Sequence, residues 1–487
     1  MFTSIQSACV VGAQGIPTVV EVNVTPGLPS FDVVGRHSGS VRETRDRVRA
    51  AVLNAGLTWP GRRITVCIPS TIGGGAIPAA LDLAIAIGIM VSDGQVDADT
   101  AEMAFFGELG LDGSVRSVPG IYPMSESLHR ASEIVVPAVA CASEAAISAR
   151  HVVRPVRGLA ELVLCLQGLA PWRESDTIAT TTLRTPPLAG TAVVDFATLV
   201  AAAGGHHMLI SGGPSGAGDA YARQIADLLP PLDDEMSEAV TSIHSAAGEL
   251  RPGTGLIRWA PFRAPKHSTS LVALLGGSSS RLRPGEVSLA HGGVLFLDEL
   301  GEFGAAALDA LRQPLDGGFV RLSRAHTTAT IPASFQLVAA TGWCPCNETE
   351  CRCTQSAIAR FGRRIPASLL DRFAIRVAAD ATTGIISGTA VDAAGGDVAE
   401  ARRRAVRRGA RANHYLTDDQ VSAASRLTDA AEAHITEALA HGRLSQRGAR
   451  IVRSVALTID DLAVGDGEIS GDVMAQALML HSLPLTR

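Results

Sequence analysis

One stretch constrains this chain more than any other: Gly213-Pro214-Ser215-Gly216-Ala217-Gly218-Asp219-Ala220, set between the apolar run Met208-Leu209-Ile210 and a helix-like segment from Tyr221 to Leu229. A strand, a glycine loop and a helix in that order open an α/β nucleotide-binding unit. The glycines let backbone N–H groups wrap a phosphate at the start of the helix. A working loop of the form G-x-x-x-x-G-K-[ST] also sends its Lys to the β/γ oxygens and a hydroxyl to Mg²⁺. Here Asp219 stands in place of the Lys and Ala220 in place of the hydroxyl, so a cation becomes a carboxylate and a metal ligand becomes a methyl. The companion motif is intact. Gly293-Val294-Leu295-Phe296-Leu297-Asp298-Glu299 is an apolar strand that ends in a carboxylate pair, as in a Walker B element.

A chain of 487 residues is too long for one ordinary core and predicts two or three domains. Its net charge of −6 leaves no globally basic face, so any nucleic-acid contact must be local. No apolar run reaches the roughly 18–20 residues of a membrane span. The N-terminus lacks the basic-then-apolar pattern of a signal peptide, which places the protein in the cytoplasm. Lys266 is the sole lysine, and that rules out lysine chemistry elsewhere. Cys9, Cys67, Cys141 and Cys165 lie among apolar neighbours and read as small core residues. Cys344, Cys346, Cys351 and Cys353 form C-x-C-x₄-C-x-C. Two knuckles of that kind either hold Zn²⁺ through four thiolates, with no open position for catalysis, or make a reduced, turn-rich loop.

Residues 1–168 read as an α/β unit. Val20 to Val24 alternates like a half-buried strand, Phe31 to Val34 and Ile64 to Ile68 give two more, and Ser40 to Ala55 and Pro78 to Val91 have helical spacing. Arginines 42, 45, 47 and 49 read as the solvated face of the first helix. Residues 169–192 are polar and proline-broken and read as a linker. Residues 193–380 read as the nucleotide-binding core, and 381–487 as helical. Within the last region, Ala399 to Ala412 carries six arginines that read as a solvated face or as an interface.

The segments Gly27-Leu28-Pro29 through Val48-Arg49-Ala50-Ala51 and Gly107-Glu108-Leu109 are similar to the Lon-protease-like N-terminal domain of the YifB/ComM magnesium-chelatase-like proteins. The resemblance runs on through Ala202-Ala203-Gly204-Gly205-His206, Pro261-Phe262-Arg263-Ala264-Pro265, Leu295 to Leu300, Leu311-Arg312-Gln313-Pro314 and Leu369-Leu370-Asp371-Arg372. It implies a Lon-like α/β domain, an AAA+ P-loop-type α/β core and a C-terminal helical lid. It also implies a ring-forming ATPase that uses ATP and Mg²⁺ and is linked to DNA branch migration in transformation. Asp298 would hold Mg²⁺, Glu299 would polarise the attacking water, Arg372 would be the finger lent to a neighbour, and Arg447 would be the sensor-2 arginine. Arg263, Lys266 and His267 match a Phe-Arg-Ala-Pro-His-His element that implies DNA contact. The Ser-Lys dyad of Lon enzymes is absent, because residues 1–168 hold no lysine and Pro78 to Leu83 no serine. That excludes proteolysis.

Three departures cut against ATP turnover. Asp219 and Ala220 are the first. The second is Gly342-Trp343, where the family carries the sensor-1 Asn and a Pro. The third is the short approach to Ala201, which leaves no evident room for a helix beside the adenine. A charge-assisted phosphate contact contributes about 1.5–3 kcal/mol, and a carboxylate in its place adds repulsion. Three readings stay open: a ring protein with a degenerate site; a non-catalytic subunit co-assembling, in homo- or hetero-oligomeric rings, with an intact AAA+ paralogue; and an active ATPase with a rearranged phosphate site that uses Arg223.

Overall fold

The computed structural model describes residues 1–34, 38–69, 76–138, 141–174, 192–212, 217–277, 282–324, 327–346, 351–379 and 397–481. Most of the linker expected at 169–192 lies outside them, as do Gly213 and Gly216 of the glycine loop.

The N-terminal half is built on a seven-stranded mixed sheet. In chain order its strands are β1 (Phe2–Val11), β2 (Gln14–Thr25), β3 (Ser30–Val34), β4 (Arg63–Cys67), β5 (Met103–Phe105), β6 (Glu133–Pro137) and β7 (Val152–Val156). They lie in the order β3-β4-β2-β1-β5-β6-β7. In β2 the alternation works as the sequence predicts: Val20, Val22 and Val24 are fully buried while their neighbours face out. Helices α1 (Ser38–Asn54) and α2 (Asp82–Ser92) contribute to the core behind this sheet. Asp82 opens α2 among apolar residues and is wholly buried. Its partner is Arg47 from α1, whose Nε and Nη2 donate to the two carboxylate oxygens at 2.6 and 3.0 Å. Arg47 therefore leaves the solvated face that the sequence suggests for it, because a carboxylate buried without a cation would be too costly.

The second half is built on five parallel strands: β8 (Met208–Ser211), β9 (Phe262–Arg263), β10 (Val294–Leu297), β11 (Gln336–Thr341) and β12 (Ile375–Ala378). Their order is β9-β10-β11-β8-β12. An all-parallel sheet has one carboxyl edge, where ligands of open α/β folds sit, and one amino edge. At 3.3 Å per residue, strands of about four residues keep the two edges at least ~10 Å apart. Helix α3 (Ala192–Gly204) packs on the sheet with Val194, Ala197 and Val200 wholly buried. The chain thus does form a helix where its short approach to Ala201 suggested none. Helix α4 (Ala217–Leu228) follows the glycine loop.

The C-terminal region is helical, as expected. It includes α6 (Val398–Arg407), α7 (Asp429–Ala440), α8 (Gln446–Leu462) and α9 (Gly471–His481), and it shares one hydrophobic core with α3 and α4. The arginine run on α6 is mostly not a solvated face. Arg402 is half-buried and donates to Ala202 O, and Arg408 forms a two-point pair with the buried Asp461 at 2.6 and 2.7 Å. Only Arg403 and Arg407 stay at the surface, paired with Glu400.

The two halves meet along α5 (Asp234–Ala247). Ala13 joins Ile243, Ala246, Leu289, Ala329 and Ile331 in one apolar cluster. The Glu144 carboxylate accepts from Ser245 Oγ at 2.5 Å and from the Tyr122 N–H at 3.0 Å. Burial holds that carboxyl above its ordinary range.

Candidate functional site

At the carboxyl edge, β8 leads into the glycine loop and β10 into Asp298-Glu299. Gly218 in the first turn of α4 is buried, and a Cβ there would meet the Ala340 methyl at 2.6 Å and the Phe296 ring at 3.3 Å. This glycine is kept for close helix-to-sheet packing, which holds whether or not a phosphate is bound. Asp219 and Ala220 follow in the same first turn, Asp219 half-buried and Ala220 exposed. The Asp219 carboxylate accepts from Arg223 Nε at 2.8 Å, one helical turn on. The same guanidinium lies 4.4 Å from the centroid of the Phe262 ring, so it is engaged on both sides. Phe262 in turn stacks on Phe296, with centroids 6.3 Å apart.

Asp298 and Glu299 sit side by side, and the Glu299 N–H donates to Asp298 Oδ1 at 3.0 Å. Partial burial raises the Asp298 carboxyl above its ordinary range against that hydrogen bond, and the negative charges of Glu299 and Asp219 push it the same way. Asp219 therefore adds a third carboxylate beside Asp298, expected to hold Mg²⁺, and Glu299, expected to polarise water. Glu299 has φ +53°, the left-handed region that non-glycine residues seldom adopt. Its carboxylate lies 3.2 Å from His267 Nδ1.

This arrangement divides the residues assigned by resemblance to DNA. His267 faces Glu299 and Lys266 is exposed. Arg263 is committed: it belongs to the edge strand β9 and binds Glu286 at 2.7 and 2.8 Å and Glu249 at 2.7 Å.

Arg372 and Arg447 come together at the opposite edge. Arg372 precedes β12 and grips both oxygens of Asp316 at 2.5 and 2.8 Å, which holds that carboxyl below its ordinary range. Arg447, in the first turn of α8, adds to the same field. Both line a cleft of about 400 Å³ with Arg450, His207 and His414. His207 accepts from the Leu337 N–H at 3.0 Å, and its ring lies 4.6 Å from that of His414. Burial, with the nearby arginines, keeps both imidazoles neutral, and His414 is lowered to about 4. Asp316, Arg450 and the two histidines carried no signal in the sequence, because separate turns of the chain bring them together.

Beyond β11 the chain passes through Gly342 and Trp343 to the cysteines. The sulfurs of Cys344, Cys346, Cys351 and Cys353 all lie within 4.8 Å of one another. Cys344 Sγ is 3.1 Å from Cys346 Sγ and 3.2 Å from Cys351 Sγ, and the Cys353 N–H donates to Cys351 Sγ at 3.4 Å. Convergent sulfurs with an N–H donating to one of them suit a divalent thiophilic ion such as Zn²⁺.

A five-stranded parallel sheet with a glycine loop, a carboxylate-ended strand and a helical C-terminal region defines the magnesium-chelatase-like class of AAA+ folds. Family models agree along the chain: "Magnesium chelatase, subunit ChlI" matches residues 187–385, "Subunit ChlI of Mg-chelatase" residues 20–140, and its C-terminal counterpart residues 391–481. The chain is 37% identical over 480 residues to an uncharacterized protein of Mycobacterium tuberculosis, covering 94% of each. It is 32% identical to competence protein ComM of Haemophilus influenzae, over 97% of this chain and 96% of that one. With the uncharacterized YifB of Salmonella typhimurium it shares 31% identity, over 98% and 97% of the two chains. The protein belongs to the YifB/ComM family. Among the described residues no helix is long and apolar enough to cross a membrane.

Proposed function

We propose that this protein is an AAA+ ring subunit linked to DNA whose own nucleotide site is degenerate, and that the edge carrying Arg372 and Arg447 serves the nucleotide of a neighbouring subunit. The observation that carries the reading is the charge at the carboxyl edge. Where a phosphate would need a cation there are three carboxylates, Asp219, Asp298 and Glu299. Arg223, the guanidinium that an active rearranged site would use, is held by Asp219 and the Phe262 ring. That counts against an active site rearranged around Arg223. If a nucleotide did bind, Asp298 would hold Mg²⁺ beside it and Glu299 would orient water.

The location of Arg372 favours co-assembly with an intact AAA+ paralogue as the setting. A guanidinium at the amino edge lies a full strand length from its own glycine loop, so it can reach only another subunit's phosphates. The four cysteines would hold a structural Zn²⁺. Lys266 is the residue best placed for a DNA phosphate, and with few aromatics in the chain for base stacking, such binding would weaken steeply with salt. Residues 1–168, 193–380 and 381–487 would act as the Lon-like, core and lid domains.

Equilibrium binding of a fluorescent ATP analogue with Mg²⁺ tests the reading. The native chain should not bind at micromolar concentrations, and Asp219→Lys with Ala220→Thr should raise affinity at least ~100-fold, the equivalent of about 3 kcal/mol. Micromolar binding by the native chain would overturn it.

A further inference from the structure

The cysteine cluster and the glycine loop are connected through one side chain. Thr341 ends β11 opposite Ser211, and its carbonyl accepts the Gly212 N–H at 2.9 Å. Gly212 leads directly into the glycine loop and has φ +71°. The Trp343 indole lies on its α-carbon so closely that a Cβ there would meet Nε1 at 1.9 Å, so position 212 admits only glycine while the ring is docked. The next residue, Cys344, is buried, and its sulfur is in contact with those of Cys346 and Cys351. From Gly342 to Cys346 and from Cys351 to Cys353 the chain is neither helix nor strand. Trp343 thus lies between a fixed strand end on one side and the four sulfurs on the other.

We propose that a divalent thiophilic metal ion at Cys344, Cys346, Cys351 and Cys353 fixes Trp343 on Gly212, so that metal loading sets the order of the glycine-loop entry. This rests on the metal reading above. The four thiols give up four protons as the ion binds, and the resulting thiolate centre replaces weak sulfur contacts with coordinate bonds that pin Cys344. A pinned Cys344 removes the backbone freedom that would let the indole swing off Gly212. Because linkage is reciprocal, the docked indole must tighten the metal site by the same factor with which the metal holds the loop entry.

The test is a pair of measurements on the full chain. In the first, hydrogen exchange over residues 208–221 is followed in zinc-loaded and chelated protein, with the seven-stranded sheet as internal control. In the second, Zn²⁺ affinity is measured by chelator competition for the native chain, Trp343→Ala and Trp343→Phe. Chelation should speed exchange over 208–221 about tenfold and leave the seven-stranded sheet unchanged. Trp343→Ala should bind Zn²⁺ about tenfold more weakly, still one ion per chain, with Trp343→Phe in between. Stoichiometric zinc with unchanged exchange and unchanged affinity in Trp343→Ala would overturn the coupling and leave the metal site standing. Failure of the native chain to retain zinc, with Cys353→Ser indistinguishable from it, would overturn the metal reading itself.

Discussion

The two edges of the five-stranded sheet are built on opposite principles. At the carboxyl edge, three carboxylates gather beside the start of α4, among them Glu299 at φ +53°, and Asp298 is held above its ordinary range. At the amino edge, Arg372, Arg447 and Arg450 surround a cleft floored by neutral histidines. Behind it runs a buried network in which His206 meets Thr458, Thr458 meets Asn413, and Asn413 and Arg408 both bind Asp461. One edge gathers carboxylates, while the other gathers cations. On the reading proposed, the chain is a poor host for a nucleotide and a competent neighbour to one.

The largest expected effect lies behind the amino edge. Arg408→Ala leaves Asp461 buried without its two-point partner and should cost about 3–5 kcal/mol in urea unfolding. Arg403→Ala, at an exposed ion pair on the same helix, should change stability by less than about 1 kcal/mol. Equal losses would mean that the network does not buttress this edge.

Acid should separate the halves of the molecule. His414 and His291, a buried imidazole that accepts from the Ser334 N–H just ahead of β11, have folded pKa values lowered to about 4, chiefly by burial. Their contribution is present above the unfolded value near 6.5 and is lost as pH falls through about 4, on the order of 3 kcal/mol each. Asp82 behaves in the opposite sense. Burial outweighs Arg47 and raises it to about 6, so its contribution is full below about 3.8 and lost as pH rises through about 6. Between pH 6.5 and 4 the parallel sheet should lose exchange protection while the N-terminal sheet holds or gains it. A uniform loss would remove the contrast.

The smallest effect sharpens the carboxyl edge. Glu299→Gly should stabilise the chain by about 1 kcal/mol, because glycine adopts φ +53° without strain. In a live ATPase the same change would abolish turnover; in a degenerate site no activity is lost.

What the sequence could and could not reveal follows from the range of each interaction. Local patterns were legible: the alternation in β2, the strand-loop-helix around Gly218 and the apolar strand before Asp298 all follow from neighbours in the chain. The Asp219 and Ala220 substitutions were legible for the same reason. Arg47, Arg402 and Arg408 were not, because a surface arginine and one clamped to Asp82, Ala202 or Asp461 look alike until the partner is in place. Phe262-Arg263 looked like a substrate-facing element, yet forms the edge strand with Arg263 tied to two glutamates. The meeting of Arg372 with Arg447, 75 positions apart in the numbering, depends on the lid folding back on the sheet.

The most direct measurement is steady-state phosphate release by the native chain at saturating Mg²⁺-ATP, with and without branched DNA, beside a Glu299→Gln control. The account predicts release no faster than the control under either condition. Turnover that Glu299→Gln abolishes would make the carboxyl edge a working site and contradict the account.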